Sequence, residues 1–314
     1  MVKYIFKRVL AVIPVMLIVG MIVFFLMHLL PGNPAAMMLG PEATLEEIEA
    51  LSGKMGLDRP LPIQFMEWIT NIIRGDLGTS IFFQGKSVNE VVYEHFQATL
   101  VLTLFGLFLA VVVGIVIGVI AATFHDMFLD RIVMLITSVG VAIPNFWLGL
   151  MLALFFSIWY PILPPAGYKP LSAGIWESMR YLILPAIALA FGQASLLARM
   201  TRANMLEVLQ NDYIRTAKAK GLSEYNVIFK HGLKNALIPI LTVIGLSFAN
   251  LMGGAVVTEQ IFNIPGIGRL LVKSVFSRDY PVIEGIVLYI AASWVMINLL
   301  IDLLYSLIDP RIKY

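Results

Sequence analysis

Residues 211–239 read NDYIRTAKAKGLSEYNVIFKHGLKNALIP and lie between two long apolar segments. The stretch is polar and basic, and Gly221 interrupts it. Its cationic residues are Arg215, Lys218, Lys220, Lys230 and Lys234. A connection between two helices needs only a few residues. So long a basic insert therefore indicates a docking surface for another molecule on that side of the membrane.

The composition of the 314-residue chain is that of an integral membrane protein. Hydrophobic residues make up 59% of it and charged residues 13%, and the mean hydropathy is +0.87. These values lie far outside those of soluble domains. The sequence has no cysteine, which excludes disulfides, a thiolate nucleophile and a cysteine metal site.

Six apolar runs are long enough to cross a hydrocarbon layer, which takes roughly 20 helical residues. Lipid offers the backbone no hydrogen-bond partners, so each run is predicted to be a helix. The runs are 9–30, 98–123, 132–160, 181–200, 236–258 and 282–306. The predicted fold is an all-α integral membrane protein with six transmembrane helices and both termini on one side.

The orientation and the start of the chain follow from charge and length. More than half of the 22 Lys and Arg residues fall in segments on the side of the two termini. By the positive-inside tendency, the termini and the insert 211–239 are predicted to be cytoplasmic.

The first run could be a cleaved signal peptide, but it exceeds the roughly 7–15 residues of a signal core. We therefore predict an uncleaved anchor over 1–30.

Residues 31–97 are predicted to form a small helical domain on the extracytoplasmic side. Thr44 and Glu47 have the spacing of a capping box at a helix start, and Gly56 and Gly75 suit helix ends. The predicted helices are 45–55, 62–74 and 88–97, the last continuing into the second membrane run.

No catalytic or nucleotide-binding pattern is predicted. The stretch at 78–87, GTSIFFQGKS, is like a phosphate-binding loop, but six residues separate its glycines where that motif has four. The four histidines are scattered, without a metal-hydrolase or acid–base arrangement. Glu284 and Asp302 are ionisable residues in the last run. For Asp302 we favour snorkelling to the interface or pairing with an Arg of a neighbouring helix over a role in transport.

Residues inside the apolar runs are predicted to shape packing or a polar path. Gly114 and Gly118 form a G-x-x-x-G pair that lets another helix approach closely. Pro144 and Pro185 are expected to bend their helices. Amides in apolar surroundings either bond between helices or line a wet path. The candidates for a translocation path are Asn145, Gln193 and Asn250.

Within the insert, a short helix is predicted over 213–220. Asn211 or Asp212 can cap its start, and Gly221 permits the left-handed turn that ends it. Ser223 can then cap a second helix towards the end of the insert.

One side of the short helix carries Tyr213, Ile214 and Ala217. Small or absent side chains at Ala217 and Gly221 suit a helix pressed into a groove of another protein. The alternative is an amphipathic helix that rests on anionic lipid headgroups.

The chain resembles the membrane permeases of binding-protein-dependent ABC importers, in particular the dipeptide, oligopeptide, glutathione and nickel branch. The family's cytoplasmic loop reads E-A-A, three residues, Gly, nine residues and I-x-L-P. Here Arg215, Thr216 and Ala217 stand at the E-A-A positions and Gly221 at the glycine, and HGLK at 231–234 replaces I-x-L-P. These departures match the peptide branch, whose loops look like RTAKAKGL followed by H-x-L-(K/R)-N-A-L-I-P.

Further stretches along nearly the whole chain carry the same resemblance. They are LLPGNPA (29–35), GLDRPLPIQF (56–65), GDLGTS (75–80), IPNFWLG (143–149), EQIFNIPGIGRLL (259–271), RDYPVI (278–283) and DPRI (309–312). The resemblance implies the type I ABC importer permease fold in a bacterial or archaeal cytoplasmic (inner) membrane. It divides the chain into an anchor at 1–30, the extracytoplasmic domain at 31–97 and a core at 98–314 that contains a coupling loop, 201–235.

The resemblance also implies partners. They are a second homologous permease subunit, two cytoplasmic ABC ATPase subunits, an extracytoplasmic solute-binding protein and the lipid bilayer, with no nucleic acid. ATP and Mg would bind to the ATPases, so this chain is expected to hold no cofactor, metal or catalytic residue and not to be an enzyme. Residues 212–222 would be the coupling helix and its turn. The ATPase-coupling residues would be Asp212, Tyr213, Ile214, Arg215, Thr216, Ala217, Lys220, Gly221 and Leu222.

The sequence leaves alternatives open for the cargo and for the class of membrane protein. Dipeptides or oligopeptides are the favoured cargo, with glutathione, chelated nickel and oligosaccharides as alternatives within the resembled family. A secondary transporter or channel would need internal repeats or a chain of intramembrane charges. The sequence displays no repeats, and Glu284 and Asp302 in the last run are isolated residues and not such a chain. An assembly protein without a transport path is the remaining alternative.

Overall fold

The computed structural model describes residues 2–29, 33–40, 42–83 and 85–308. Over these ranges the chain is helical, and the β-type contact within them is an isolated bridge between Thr79 and Ser87. The prediction of an all-α fold is therefore confirmed. Parts of two family-like stretches, at 30–32 and 309–312, lie outside the described residues, as does the rest of the C-terminal tail.

The helices follow one another along the chain, and two of them adjoin a π-helical segment. They are α1 (Val2–Leu29), α2 (Pro34–Leu39), α3 (Leu45–Lys54), α4 (Leu61–Ile73), α5 (Val88–Thr123), α6 (Phe128–Ala142), α7 (Asn145–Ala153), α8 (Ile175–Leu209), α9 (Asp212–Ala219), α10 (Lys234–Phe262), α11 (Ile267–Ser277) and α12 (Tyr280–Ile308). The π-helical segments are Leu154–Trp159 after α7 and Asn226–Leu233 before α10, and a 3₁₀ turn, Leu171–Ala173, precedes α8.

Five helical stretches in the described chain are long and apolar enough to cross a membrane. They are Leu10–Leu29, Val88–Thr123, Ile175–Leu209, Asn226–Phe262 and Tyr280–Tyr305. Phe128–Ala142 together with Asn145–Trp159 supplies a sixth crossing if this bent pair is one span. The prediction of six transmembrane segments is confirmed in this form. The 35 residues of α8 extend about 52 Å, so this helix is longer than the hydrocarbon layer.

The predicted third span, 132–160, is not one straight helix. Its two halves are bent by 100° at a break between α6 and α7. Ile143 is extended at φ −73° and ψ 125°, as expected for a residue before proline, and Pro144 lacks the N–H that would continue the helix. The predicted bend at Pro144 is confirmed, whereas α8 continues through Pro185 as one helix.

The chain divides into two compact units. The first comprises Ala98–Pro265 and the chain from Met296, and α8 packs in it against α6, α7 and α10. The second comprises Val2–Gln97 and Gly266–Val295. The sequence-based division into anchor, extracytoplasmic domain and core concerns position relative to the membrane and stays a prediction.

Close packing of α5 on α8 in the first unit depends on two glycines. A Cβ placed on Gly114 would lie 2.6 Å from the Leu197 Cβ, and one on Gly118 would lie 2.5 Å from the Thr201 Cβ and 2.6 Å from the Ala198 carbonyl oxygen. No side chain fits in these gaps without a shift. The predicted role of the G-x-x-x-G pair in helix packing is confirmed.

In the second unit, α3 and α4 match the predicted helices within one residue at each end. The Thr44 N–H and hydroxyl donate to the Glu47 carboxylate, which lowers the pKa of Glu47, and the Glu47 N–H donates to Thr44 Oγ1. Gly56 and Gly75 adopt φ of +70° and +81° after these helices. The predicted helix 88–97 forms the first turns of α5, and α2 was not predicted.

The loop that was compared with a phosphate-binding loop is fastened to Asp279 of the same unit. Ser80 Oγ donates to the Asp279 carboxylate at 2.5 Å, and the N–H groups of Ile81 and Phe82 donate to it at 3.1 and 3.0 Å. These backbone donors are therefore engaged by a carboxylate of the chain itself.

Candidate functional site

The centre of the basic insert forms α9, one residue earlier than the predicted helix 213–220. Gly221 follows at φ +76°, which confirms the predicted left-handed turn. Asn211 occupies the cap position, but its side chain makes no capping bond. The Asn211 Nδ2 donates instead to the carbonyls of Glu207 and Val208 at 3.3 and 3.2 Å. This side chain closes the end of α8, which corrects the predicted cap.

One face of α9 is buried inside the chain. Ile214 is fully buried and Ala217 is 6% exposed, and they pack with Val227 and Leu209. The sequence pattern suggested that these apolar residues would pack on another protein. The structure corrects that detail, because the face is already covered by the end of α8 and the following π-helix.

Tyr213 links α9 to the helix that follows it. Its side chain is 43% exposed, its hydroxyl donates to the His231 carbonyl at 3.4 Å, and Asn235 Nδ2 donates to that hydroxyl at 3.1 Å. The predicted second helix does begin after Ser223, whose carbonyl accepts from the Val227 N–H at 3.0 Å. It continues through the π-helix into α10. The position of α9 is thus coupled to α8 and α10.

The outer face of α9 and its turn is exposed and basic. Arg215 makes a 3.6 Å ion pair with Asp212 across the surface, and such an exposed pair contributes about 0–1 kcal/mol. The exposed residues of this face are Asp212, Arg215, Thr216, Lys218, Ala219, Lys220, Gly221 and Leu222. This outer face is open to contact with another protein.

Two exposed aromatic residues beside this face were missed. Tyr225 is 70% exposed and Phe229 is 44% exposed, and their ring centroids are 4.7 Å apart. Their spacing of four residues on one helix face was the sequence signal that could have identified them. They add an apolar contact area next to the basic one.

The candidate path residues lie on three helices of the first unit. Asn145 begins α7 and reaches α8 and α10, since a Cβ on Gly192 would lie 3.6 Å from its Oδ1 and one on Gly254 3.6 Å from its Nδ2. Gln193 follows Gly192, and its Oε1 is buried with no hydrogen-bond partner among the residues that the structure describes. Asn250 is exposed on α10. The structure therefore brings Asn145 next to the helix carrying Gln193 and the helix carrying Asn250.

An ion pair between α6 and α8 was also missed. Asp130 is 3% exposed, and both of its carboxylate oxygens accept hydrogen bonds from Arg202. His125 and Asp126 bring further possible metal ligands within 4.8 Å. Because the guanidinium already occupies both Asp130 oxygens, the group is arranged as an ion pair, not as a metal site.

Comparison with known proteins places this architecture in one family. Residues 114–314 match the binding-protein-dependent transport system inner membrane component, and residues 1–103 match the N-terminal part of such membrane components. A chain of the MetNI methionine ABC transporter, crystallised in inward-facing conformations, aligns with a TM-score of 0.57 and 18% identity over 70% of this chain and 96% of that chain. The helical fold is therefore that of an ABC importer permease.

Several relatives match this chain over 99–100% of its length and of their own. The chain is 43% identical to a probable peptide ABC transporter permease protein of Sinorhizobium fredii, over 99% of both chains. It is 44% identical to a putative peptide transport system permease protein of Brucella abortus and 43% identical to a glutathione transport system permease protein of Salmonella choleraesuis, over 100% of each chain. The chain belongs to the family of binding-protein-dependent transport system inner membrane components.

Proposed function

We propose that this chain is a permease subunit of an ATP-driven importer of peptides, delivered by an extracytoplasmic solute-binding protein. The observation that carries the proposal is the 43–44% identity over full length to permeases named for peptide or glutathione transport. Peptides are the first candidate cargo. Glutathione is the second, because the Salmonella relative is named for it, and it is itself a small peptide.

Coupling to ATP hydrolysis is assigned to residues 212–222. The support is geometric: Ile214 and Ala217 anchor α9 within the chain, while Arg215, Lys220 and Leu222 face outwards. A helix held this way transmits a push from a bound ATPase to α8 and α10. The permease would then alternate between inward and outward access by rigid-body motion.

The cargo path is assigned to Asn145, Gln193 and Asn250. Amide groups both donate and accept hydrogen bonds, so they match the peptide groups of the cargo. The support is the partnerless buried Oε1 of Gln193 and the position of Asn145 against α8 and α10.

The remaining subunits complete the proposal. They are a second homologous permease, two ATPases on the cytoplasmic side and the solute-binding protein on the opposite side. ATP and Mg would bind to the ATPases, and both termini of this multi-pass inner-membrane chain would be cytoplasmic.

The test is affinity purification of the tagged chain with mass spectrometry of its partners, combined with uptake of labelled dipeptide and glutathione by cells with and without the chain. The proposal expects ATPases and a second permease in the eluate and uptake that depends on the chain. A chain that purifies alone, or cells that take up both cargoes equally without it, would contradict it.

A further inference from the structure

A cavity of about 590 Å³ lies within the second compact unit, beside the ends of α1 and α3 and the start of α12. None of its described lining residues is Lys or Arg. Its aromatic and acidic lining residues are Phe24, Trp68, Tyr280, Asp58, Glu67 and Glu284. The cavity therefore combines ring surfaces with an excess of negative charge.

Glu284 is the lining carboxylate that is partly withdrawn from solvent and has no cationic partner among the described residues. The Trp68 Nε1–H donates to its Oε2 at 2.8 Å, and no salt bridge to Glu284 occurs among the described residues. Glu67 pairs with Arg59, and Asp58 is exposed. A carboxylate withdrawn from water is stabilised by a cationic partner, so a ligand that supplies the cation fits here.

The imidazole in the described lining does not fill that role. His28 Nδ1 lies 2.8 Å from the Phe24 carbonyl oxygen, and its Nε2 lies 3.2 Å from Gln64 Oε1. Both ring nitrogens are thus occupied by other groups, and Glu284 keeps the Trp68 N–H as its hydrogen-bond donor.

The aromatic side chains that line the cavity indicate which type of cation it would bind. Phe24 and Trp68 have ring centroids 5.5 Å apart, and Tyr280 is a further lining ring. Aromatic faces attract ammonium groups. Ca²⁺ takes 6–8 oxygen ligands, a number that Glu284 alone cannot supply. The lining matches an organic cation better than a metal ion.

We propose that this cavity binds a primary ammonium group, with Glu284 as its counter-ion and Trp68 as part of an aromatic wall. The group could belong to the ethanolamine headgroup of a membrane lipid or to the amino terminus of a soluble peptide. The lipid source is considered because α1 and α12, which both supply lining residues, contain candidate membrane spans. The proposal does not depend on peptide transport.

Native mass spectrometry of the full chain, in the complex with which it purifies, tests the proposal. The lipid probes are phosphatidylethanolamine and phosphatidylglycerol with the same acyl chains, and the soluble probes are alanylalanine and its N-acetyl form. We expect about fivefold preference for the amine member of one pair. Glu284→Gln should abolish that preference, and Glu49→Gln, an exposed carboxylate on α3 outside the cavity, should keep it.

The two probe pairs distinguish a lipid headgroup from a soluble peptide as the source of the ammonium group. A Glu284-dependent preference for phosphatidylethanolamine identifies the lipid headgroup, and one for alanylalanine identifies a soluble amine. If Glu284→Gln does not fold, Ser52→Trp decides, since it fills the cavity and leaves the carboxylate in place. Amine preference absent from the wild type, or unchanged in the variant that folds, would overturn the proposal.

Discussion

Arg202 on α8 holds Asp130 on α6 with two hydrogen bonds, from Nε to Oδ1 at 2.6 Å and from Nη2 to Oδ2 at 2.7 Å. The Asp126 N–H adds a third donor at 3.1 Å. Both charged groups are largely withdrawn from solvent, with side chains 22% and 4% exposed. The pair therefore ties the N-terminal end of the bent α6–α7 segment to α8, which packs at the centre of the first unit.

Asp130→Ala is expected to lower the stability of the permease by about 3 kcal/mol, because it leaves the Arg202 charge without its partner. Thermal unfolding of the purified protein measures this effect. Adding Arg202→Met to Asp130→Ala should recover much of the loss, since an apolar replacement of both charges is often neutral. A double variant that is as unstable as the sum of the single ones would contradict the pairing.

Gly118→Ala is expected to destabilise the protein by about 1–3 kcal/mol through overpacking. Its new Cβ would meet the Thr201 Cβ and the Ala198 carbonyl oxygen at 2.5 and 2.6 Å. Gly253→Ala is the matched control, because nothing lies within 4 Å of a Cβ there. That change should be neutral or stabilise by up to about 1 kcal/mol. Equal melting temperatures for the two variants would refute the close contact of α5 and α8.

Ala217→Asp is expected to release α9 from the chain, because it places a charge against Val227 and Leu209. The variant should insert in the membrane but lose co-purifying ATPase and coupled uptake. Ala203→Asp introduces the same charge at an exposed position of α8, outside residues 212–222, and should weaken ATPase binding much less. If both variants retain the ATPases equally, the buried face of α9 has no part in coupling.

Gly221→Asp, at φ +76°, strains the turn after α9 and is also expected to uncouple uptake.

Gln193→Met separates a structural role from a role in the path. Within the described part of the chain the buried Gln193 Oε1 has no hydrogen-bond partner, and an unsatisfied group of this kind costs about 1–3 kcal/mol. The variant should therefore be at least as stable as the wild type, while uptake of peptide falls. A loss of stability without a change in uptake would show that Gln193 serves packing alone.

Local signals in the sequence predicted much of this fold. The capping box at Thr44, the helix end at Gly56 and the turn at Gly221 depend on neighbouring residues, so the pattern was sufficient. Which molecule covers the apolar face of α9 depends on residues brought together by the fold, and Ile214 proved to be buried within the chain.

The ion pair shows a second limit of sequence reasoning. Asp130 and Arg202 are 72 residues apart, and neither belongs to a motif that marks a partner. The break before α7 was foreseen at Pro144, but its angle of 100° was not. Contacts between residues so far apart in the sequence could be identified only from the structure.

ATP-driven uptake in proteoliposomes tests the central proposal most directly. The complex purified with this chain would be reconstituted with ATP at the ATPase side and with labelled dipeptide and the solute-binding protein at the other. We predict uptake that requires ATP and is lost with Ala217→Asp but kept with Ala203→Asp. Uptake that proceeds equally without ATP would contradict the assignment and favour a secondary transporter or channel.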